Sequence, residues 1–156
     1  MELCEFDEKY VPELRVVFYT SIHMNAKGFY SESQLDAWAP ESYDKNAWYR
    51  RMVKLQPFVA VSTEGIVGYA DLQADGYIDH FFVRGGFAGK GVGTILMGRI
   101  LELASLREIS RLYSEVSLAA QGFFSRNGFK ILRRQVVTKG DVELENAAME
   151  LLFVNL

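Results

Sequence analysis

A glycine-rich turn at residues 84–94 has the residue types best suited to hold a ligand. Gly89, Gly91 and Gly93 alternate with other residues, and Lys90 lies between the first two. Ordering glycine costs conformational entropy, so this density indicates that the backbone itself is used there. An apolar helical pattern follows, and a helix N-terminus has unpaired N–H donors and a dipole that favour an anion. The spacing therefore predicts a backbone anion site; a tight strand-to-helix turn is the alternative.

Two phosphate-binding motifs do not fit this turn. A P-loop has a glycine five residues before its Gly-Lys pair and Ser or Thr directly after the lysine, whereas Arg84 and Gly91 stand at these places. The dinucleotide motif G-x-G-x-x-G, started at Gly89, has Thr94 in place of its last glycine. It also follows predicted antiparallel strands instead of the first strand of a parallel sheet. Neither nucleotide motif is therefore expected.

The first third of the chain has the pattern of a short strand and three helices. Residues 2–6 alternate like a strand, and Asp7 can cap a first helix. Ser31 with Gln34 predicts a capping box for a second helix. A third helix covers about 43–54.

The rest of the chain mixes strands with helices. Three β-rich runs separated by short turns, at 57–63, 66–73 and 76–83, predict consecutive antiparallel hairpins. After the glycine-rich turn come a helix with apolar residues from Val92 to Ala104, a strand at 111–117, a helix at about 119–127, and strands at 129–138 and 148–154. A meander, one β-α-β unit and a closing hairpin predict an α/β fold. We expect a central, mostly antiparallel mixed sheet of about seven strands, flanked by about four helices.

Composition and charge narrow the function classes. The chain has 156 residues and a formal net charge of −3, so we expect a single domain over 1–156 and no nucleic-acid partner. His23 and His80 are far apart and Cys4 is alone, so neither a metal site nor an internal disulfide is expected. The acidic N-terminus and the lack of an apolar run of about 18 residues predict a cytoplasmic protein without a membrane span.

The segment 83-VRGGFAGKGVG-93 resembles the signature of the GNAT superfamily of acyl-coenzyme A-dependent N-acetyltransferases. In that family a strand ending in valine and a short turn precede Arg/Gln-x-x-Gly-x-Gly/Ala at a helix start. Gly91 and Gly93 match the two small residues, whereas Ala88 stands in place of Arg or Gln. The segment 123-FFSRNGF-129 resembles the family's aromatic stretch before Gly-Phe, and the element order agrees over essentially the whole chain. The resemblance implies a GNAT fold.

The resemblance also implies how acetyl-coenzyme A, the expected co-substrate, would bind without a metal. Backbone N–H groups of the glycine-rich turn would hold the pyrophosphate, and the end of the fourth strand would pair with the pantetheine arm. A splay between the fourth and fifth strands, near Val83 and Ser117, would admit the thioester, and Phe124 would pack against the arm. The expected coenzyme contacts are Phe81, Phe82, Val83, Ala88, Gly89, Lys90, Gly91, Val92, Gly93, Ser117 and Phe124.

Acetyl transfer to an amine needs a neutral nitrogen. An alkyl amine is almost entirely protonated at pH 7, and removing its proton costs roughly 4 kcal/mol. Asp79 is the first candidate for the base, because a polar residue among apolar and aromatic neighbours is costly unless it is used or paired. His80 is the second, since its ordinary pKa suits the task, and Glu115 and Asp71 follow. The Val83 backbone N–H is the candidate oxyanion donor. A hydrogen-bonding Asp79 and a satisfied, partly buried His80 are the structural alternatives.

The proton donor to the leaving thiolate does not carry over from the family. Relatives often have a tyrosine where this chain has Phe124, and an asparagine seven residues earlier, where it has Ser117. A thiol with a pKa of about 8.5 can leave as the thiolate without a dedicated acid. Water or another tyrosine, Tyr113 or Tyr77, would suffice as the proton source. The departures at Ala88, Ser117 and Phe124 also motivate an alternative function, a non-catalytic acyl-coenzyme A-binding module or sensor.

The expected acceptor is a small-molecule or peptide amine. Residues 28–48 are rich in aromatic residues with acidic ones among them, a wall that would suit a cationic amine. The alternative is that Trp38 and Trp48 belong to the core. The closing β-hairpin offers an edge with which a second copy could pair, giving a homodimer.

Overall fold

The computed structural model describes residues 1–153, which contain seven strands and five α-helices. Their bounds are β1 Glu2–Cys4, α1 Val11–Thr20, α2 Glu32–Trp38, α3 Lys45–Leu55, β2 Phe58–Ser62, β3 Gly65–Ala70, β4 Phe81–Val83, α4 Val92–Leu106, β5 Arg111–Ser117, α5 Gln121–Arg126, β6 Lys130–Lys139 and β7 Val142–Leu152. The mixed architecture and the seven strands confirm the prediction, and the helices number one more than the expected four. The last residue of the predicted strand 148–154 lies outside the described part.

The strands form two antiparallel sheets, ordered β1-β2-β3-β4 and β5-β7-β6, where one sheet was expected. Among the described residues they are joined at a parallel bridge between Tyr77 and Tyr113. There the N–H of Ile78 donates to the Tyr113 carbonyl (2.9 Å), and the Tyr113 N–H donates to the Gly76 carbonyl (3.1 Å). β4 and β5 themselves are not paired. The expected opening between the fourth and fifth strands is therefore present.

The predicted strand over 76–83 is wrong along most of its length, since β4 begins at Phe81. The Asp71 carboxylate accepts hydrogen bonds from the backbone N–H groups of Asp79 (3.0 Å) and His80 (2.6 Å). The Asp71 side chain thus binds backbone N–H groups that would pair with a neighbouring strand if β4 began earlier. The chain from 72 to 80 consequently runs as an irregular segment between the two sheets.

The N-terminal helices follow local signals closely. The Ser31–Gln34 capping box is present, with the Gln34 N–H 3.2 Å from Ser31 Oγ and the Ser31 N–H 2.8 Å from Gln34 Oε1. Asp7 caps a short 3₁₀ turn that leads into α1. α1 then continues as a π-helical turn over Ser21–Asn25, a feature that often marks functional sites.

Two clusters of buried residues form the core, in which the helices pack against strands of both sheets. One apolar face of α1 and of the π-helical turn after it is buried: Val11, Leu14, Val17, Phe18 and Ile22. α4 packs on β3 across Gly68, where an added Cβ would lie 2.7 Å from a Val92 methyl carbon. Trp48 is buried and its indole N–H donates to the Val11 carbonyl (3.0 Å), so this tryptophan is a core residue. No helix in the described range is both long and apolar enough to cross a bilayer.

Candidate active site

A groove of about 590 Å³ lies at the opening between the two sheets. Its walls are the glycine-rich turn, the edge of β4, the π-helical turn and the start of α5. Eight of the predicted coenzyme contacts line it: Phe81, Phe82, Val83, Ala88, Gly89, Gly91, Gly93 and Ser117. The fold thus brings together two segments that the resemblance assigned to one ligand.

The glycine-rich turn has backbone angles that require glycine. Gly89 has φ of 76° and Gly91 has φ of 85°, in the left-handed region that other residues rarely occupy. An added Cβ at either would meet nothing within 4 Å, so conformation and not space selects glycine there. Gly91 is the N-cap of α4, and no side chain caps this helix. The first N–H groups of α4 are therefore free to bind an anion.

The edge of β4 presents backbone groups to the groove. The Arg84 N–H donates to the Val67 carbonyl on β3 (2.8 Å). Because ladder groups alternate in direction, neighbouring Val83 points its N–H and carbonyl away from β3. The carbonyl accepts from Asn25 Nδ2 (2.8 Å), a residue of the π-helical turn that the sequence did not identify. The Val83 N–H remains on the open edge, as an oxyanion donor must.

Three predicted coenzyme contacts do not line the groove. Lys90 is exposed, with its ammonium 5.1 Å from the centre of the Phe87 ring. Val92 is buried in the core beneath the turn. Phe124 is buried with its ring among other aromatic rings, and its neighbour Phe123 lines the groove instead. Because of the packing of α5, Phe123 lines the groove, where Phe124 was expected.

A second, smaller cavity adjoins the groove, and we call it the acceptor cavity. Its volume is about 220 Å³, and it shares Trp38, Phe82 and Ser117 with the groove. Trp38 is therefore part of the site, unlike Trp48. The remaining polar side chains that line the cavity are Tyr30, Arg51, Tyr77, Asp79, His80, Glu115, Lys139 and Asn146.

The carboxylate candidates occupy different environments from those expected. Asp79 lines the acceptor cavity but is exposed, so the burial cost that first singled it out is absent. The buried carboxylate is Asp71, which is 1% exposed and lies in neither cavity. Burial raises its pKa to about 6, against hydrogen bonds from His80, Gln73 and Asp79 that favour the charged form. Asp71 is thus committed to holding the backbone, whereas Asp79 is free to meet a ligand.

His80 is enclosed by aromatic side chains. Its Nδ1 lies 2.9 Å from the Tyr69 hydroxyl, and its ring stacks on Phe18 at 5.8 Å between centroids. Burial, together with the positive charges of Arg51 and Lys139, lowers the pKa of His80 to about 3. The imidazole is therefore neutral near pH 7 and a poor acceptor for an ammonium proton, which matches the satisfied, buried alternative.

The two tyrosines considered as acids pack against each other, with 5.0 Å between ring centroids, but only Tyr77 lines a cavity of the site. Tyr113 lines neither the groove nor the acceptor cavity: its hydroxyl donates to Asp75, and the Arg111 guanidinium lies over its ring at 4.3 Å. Tyr77 lines the acceptor cavity, and burial raises its pKa to about 12. Of the two, only Tyr77 lines a cavity of the site, and its raised pKa makes it a poor proton donor to a thiolate. The described residues contain no cluster of three His, Cys, Asp or Glu side chains that could hold a metal ion.

Comparison with known proteins decides the family. Residues 26–151 match the family model of the acetyltransferase (GNAT) domain. The chain belongs to the GNAT acetyltransferase family. Within it, this GNAT chain is 30% identical over 125 residues to a protein of Escherichia coli (strain K12) named "Uncharacterized N-acetyltransferase YafP", covering 80% of the chain and 78% of the relative.

Solved structures agree with this GNAT assignment. A GCN5-related N-acetyltransferase from Rhodopseudomonas palustris has a TM-score of 0.91 at 26% identity, covering 97% of this chain and 95% of that one. PaiA N-acetyltransferase from Thermoplasma acidophilum, in complex with coenzyme A, has a TM-score of 0.77 at 18% identity, covering 97% and 98%. YncA from Salmonella typhimurium, with acetyl-coenzyme A, has a TM-score of 0.68 at 16% identity, covering 100% and 95%. The predicted fold and the predicted class, an acetyl-transferring enzyme, are confirmed.

Proposed function

We propose that this GNAT enzyme moves the acetyl group of acetyl-coenzyme A directly to a primary amine. The observation that carries the proposal is the junction of the two cavities at Trp38, Phe82 and Ser117. A thioester in the groove and an amine in the acceptor cavity would meet at that junction. The coenzyme A and acetyl-coenzyme A bound to two structurally similar acetyltransferases support the same co-substrate here.

Coenzyme binding would rest chiefly on backbone groups. The pyrophosphate would lie at the uncapped N-terminus of α4, held by N–H groups of residues 88–93. The pantetheine arm would lie along the open edge of β4 at Phe81 and Val83, with Phe123 beside it. Because Ala88 lacks the side chain that the family has there, we expect weakened but retained affinity for the coenzyme.

The chemistry would proceed through a tetrahedral intermediate. The amine lone pair forms a C–N bond to the thioester carbonyl carbon, and the oxyanion accepts from the Val83 N–H. Collapse of the intermediate breaks the C–S bond and releases the coenzyme thiolate. Before the attack the acceptor ammonium gives up a proton, directly or through water, to Asp79, with Glu115 as the second candidate, and the nitrogen loses its second proton to water as the intermediate collapses. The thiolate takes a proton from water, since the pKa of Tyr77, about 12, makes its hydroxyl a poor donor to a thiolate.

Thiol release tests the proposal. The enzyme is mixed with acetyl-coenzyme A and a panel of primary amines, and free thiol is followed over time. The single thiol of Cys4 adds at most one equivalent per chain, so many turnovers are distinguished from background. Silence across the panel, with coenzyme binding seen by calorimetry, would contradict the proposal and favour the acyl-coenzyme A-binding module.

A pair of carboxylate variants tests the base. Asp79→Asn should lower kcat/KM by about 10²-fold or more, the usual contribution of a general base, while coenzyme affinity is kept. Asp141→Asn, on the exposed turn between β6 and β7, is the matched control and should leave kcat/KM unchanged. If Asp79→Asn retains full activity and Glu115→Gln loses it, the base is Glu115.

A further inference from the structure

The acceptor cavity holds charges of both signs that are not paired with one another. Asp79 and Glu115 supply carboxylates, and Arg51 and Lys139 supply cations. Every ion pair within residues 1–153 is formed by other side chains. The carboxylates alone would suit a simple cationic amine, but two cations in the same small cavity would repel it. The cavity therefore matches a ligand that itself carries both signs.

The two cations reach the cavity from separate parts of the fold. Arg51 comes from α3, and Lys139 is the last residue of β6. Both line the acceptor cavity together with His80, and the positive charge of each lowers the pKa of His80. Two independent elements thus converge to make one positive region beside the junction of the sheets.

Asn146 supplies a hydrogen-bond acceptor that needs a donor from the ligand. Its Oδ1 is buried without a hydrogen-bond partner among the described residues, and the residue lines the acceptor cavity. A buried acceptor left unpaired is costly, so this oxygen is suited to receive an N–H. Asn146 on β7 pairs in register with Ser117 on β5, which both cavities share. An amine bound to Asn146 would therefore lie at the coenzyme junction.

The register of the last hairpin separates the two ends of the cavity. Lys139 pairs with Val142, four residues along β7 from Asn146, which corresponds to about 13 Å of strand. The Lys139 side chain thus enters the cavity from the end remote from Asn146. A positive region at one end and a buried acceptor at the other define a direction for the ligand.

We infer that the acceptor is a small amine that also carries a carboxylate, a compound of the amino-acid type. Its amine lies at Asn146 and the thioester, and its carboxylate lies at Arg51 and Lys139. The cavity volume of about 220 Å³ is below the roughly 300–1,000 Å³ usual for drug-sized ligands, which favours a compact acceptor over a long peptide. This inference rests on the proposed function, because it names the substrate class of the same site.

Matched acceptors test it directly. Each amino acid of a broad set is compared with its carboxamide and with the amine that lacks the acid group, all with acetyl-coenzyme A. We expect kcat/KM to be at least about tenfold higher for the acid than for the amide of the preferred side chain, equivalent to about 1.4 kcal/mol. The difference should lie mainly in KM, since the carboxylate is distant from the bond that forms.

Variants on the two positive elements supply the second readout. Arg51→Gln and Lys139→Gln should each lower the acid-to-amide ratio of kcat/KM severalfold. Arg50→Gln on α3 and Lys130→Gln on β6 are matched controls, since both are exposed and neither lines the cavity, and they should keep the wild-type ratio. Thermal unfolding of all four variants checks that the fold is kept.

The outcomes separate this inference from the proposed function. Equal turnover of acid and amide, or a ratio unaffected by both Arg51→Gln and Lys139→Gln, would overturn the amino-acid assignment and leave amine acetylation standing. Absence of thiol release with every amine tested, despite bound coenzyme, would overturn both. A high ratio that collapses in the two variants and persists in the two controls would establish the carboxylate site.

Discussion

The Asp71 carboxylate holds the backbone of His80, whose N–H donates to Asp71 Oδ1 at 2.6 Å. The same oxygen accepts from the Asp79 N–H, so one side chain fixes two consecutive residues. Their side chains then lie in different surroundings: Asp79 is exposed at the acceptor cavity and His80 is buried among aromatic rings. A carboxylate outside the site thus sets the position of the proposed base.

Asp71 should make stability depend on pH in a specific direction. Its pKa is about 6 in the folded chain against an ordinary 3.8, so folding takes up a proton between these values. The resulting stabilisation is present below about pH 3.8 and is lost as the pH rises through about 6, a change of about 3 kcal/mol. Asp71→Asn keeps an acceptor for the His80 N–H without the charge. Its free energy of unfolding in urea, relative to wild type, should therefore rise between pH 4 and pH 7.

Asp71→Ala provides the contrasting variant. It leaves the N–H groups of Asp79 and His80 without their acceptor, which should lower the free energy of unfolding by about 1–3 kcal/mol across the pH range. A difference between Asp71→Asn and wild type that stays constant from pH 4 to pH 7 would show that Asp71 does not titrate in this window.

His80 should not titrate near neutral pH. Because its pKa is about 3, the NMR signals of its ring should keep the neutral-form shifts from pH 5 to pH 8. His80→Gln, which keeps a hydrogen-bonding partner for the Tyr69 hydroxyl, should retain the acidic limb of the pH–rate profile. Loss of that limb in His80→Gln, with normal coenzyme binding, would instead identify His80 as the base.

Two glycines of the same region should respond in opposite ways to alanine. Gly91→Ala forces a left-handed backbone angle on a residue with a Cβ and should cost about 1–2 kcal/mol of stability and weaken coenzyme binding. Gly98 lies inside α4, exposed and with open space around it, so Gly98→Ala should stabilise the fold by about 0.5–1 kcal/mol. Urea unfolding measures both; destabilisation by Gly98→Ala would contradict the geometry.

Asn25 should matter to the coenzyme although its side chain binds the protein. Asn25→Asp replaces the donor that engages the Val83 carbonyl by a second acceptor, so the edge of β4 should lose its fixed position. We expect roughly tenfold weaker coenzyme binding by calorimetry, the effect of about 1.4 kcal/mol. Met24→Ala, on the same π-helical turn but exposed and outside the groove, is the control. Unchanged affinity in Asn25→Asp would show that the contact is dispensable.

Local patterns were enough for much of the fold and for the backbone geometry of the glycine-rich turn at the groove. The Ser31–Gln34 box and the glycines at 89 and 91 act through neighbouring atoms, so their spacing predicts their geometry. The position of the groove follows because strand end and helix start adjoin in the chain.

The acceptor cavity depends on contacts between distant residues, and the sequence showed it only in part: Asp79, His80, Glu115 and Tyr77 were candidates, whereas Arg51, Lys139 and Asn146 were not. Asp71 shortens β4 by a side-chain bond across a turn, which a strand pattern does not reveal. Phe123 and Phe124 are equivalent by type, and only the packing of α5 decides which faces the groove. Arg51 and Lys139 have no local signal at all, because their meeting is a property of the tertiary fold.

The wall formed by Trp38, Phe82 and Ser117 belongs to both cavities, so we expect the two proposed ligands to be thermodynamically linked. The conformational entropy lost when the first ligand orders these side chains is not lost again when the second ligand binds. By reciprocity, the factor by which coenzyme changes the affinity for the amine equals the factor by which the amine changes the affinity for coenzyme. A non-reactive coenzyme analogue and one amine, titrated in both orders, would therefore yield a single number for the cooperation between the two halves of the enzyme.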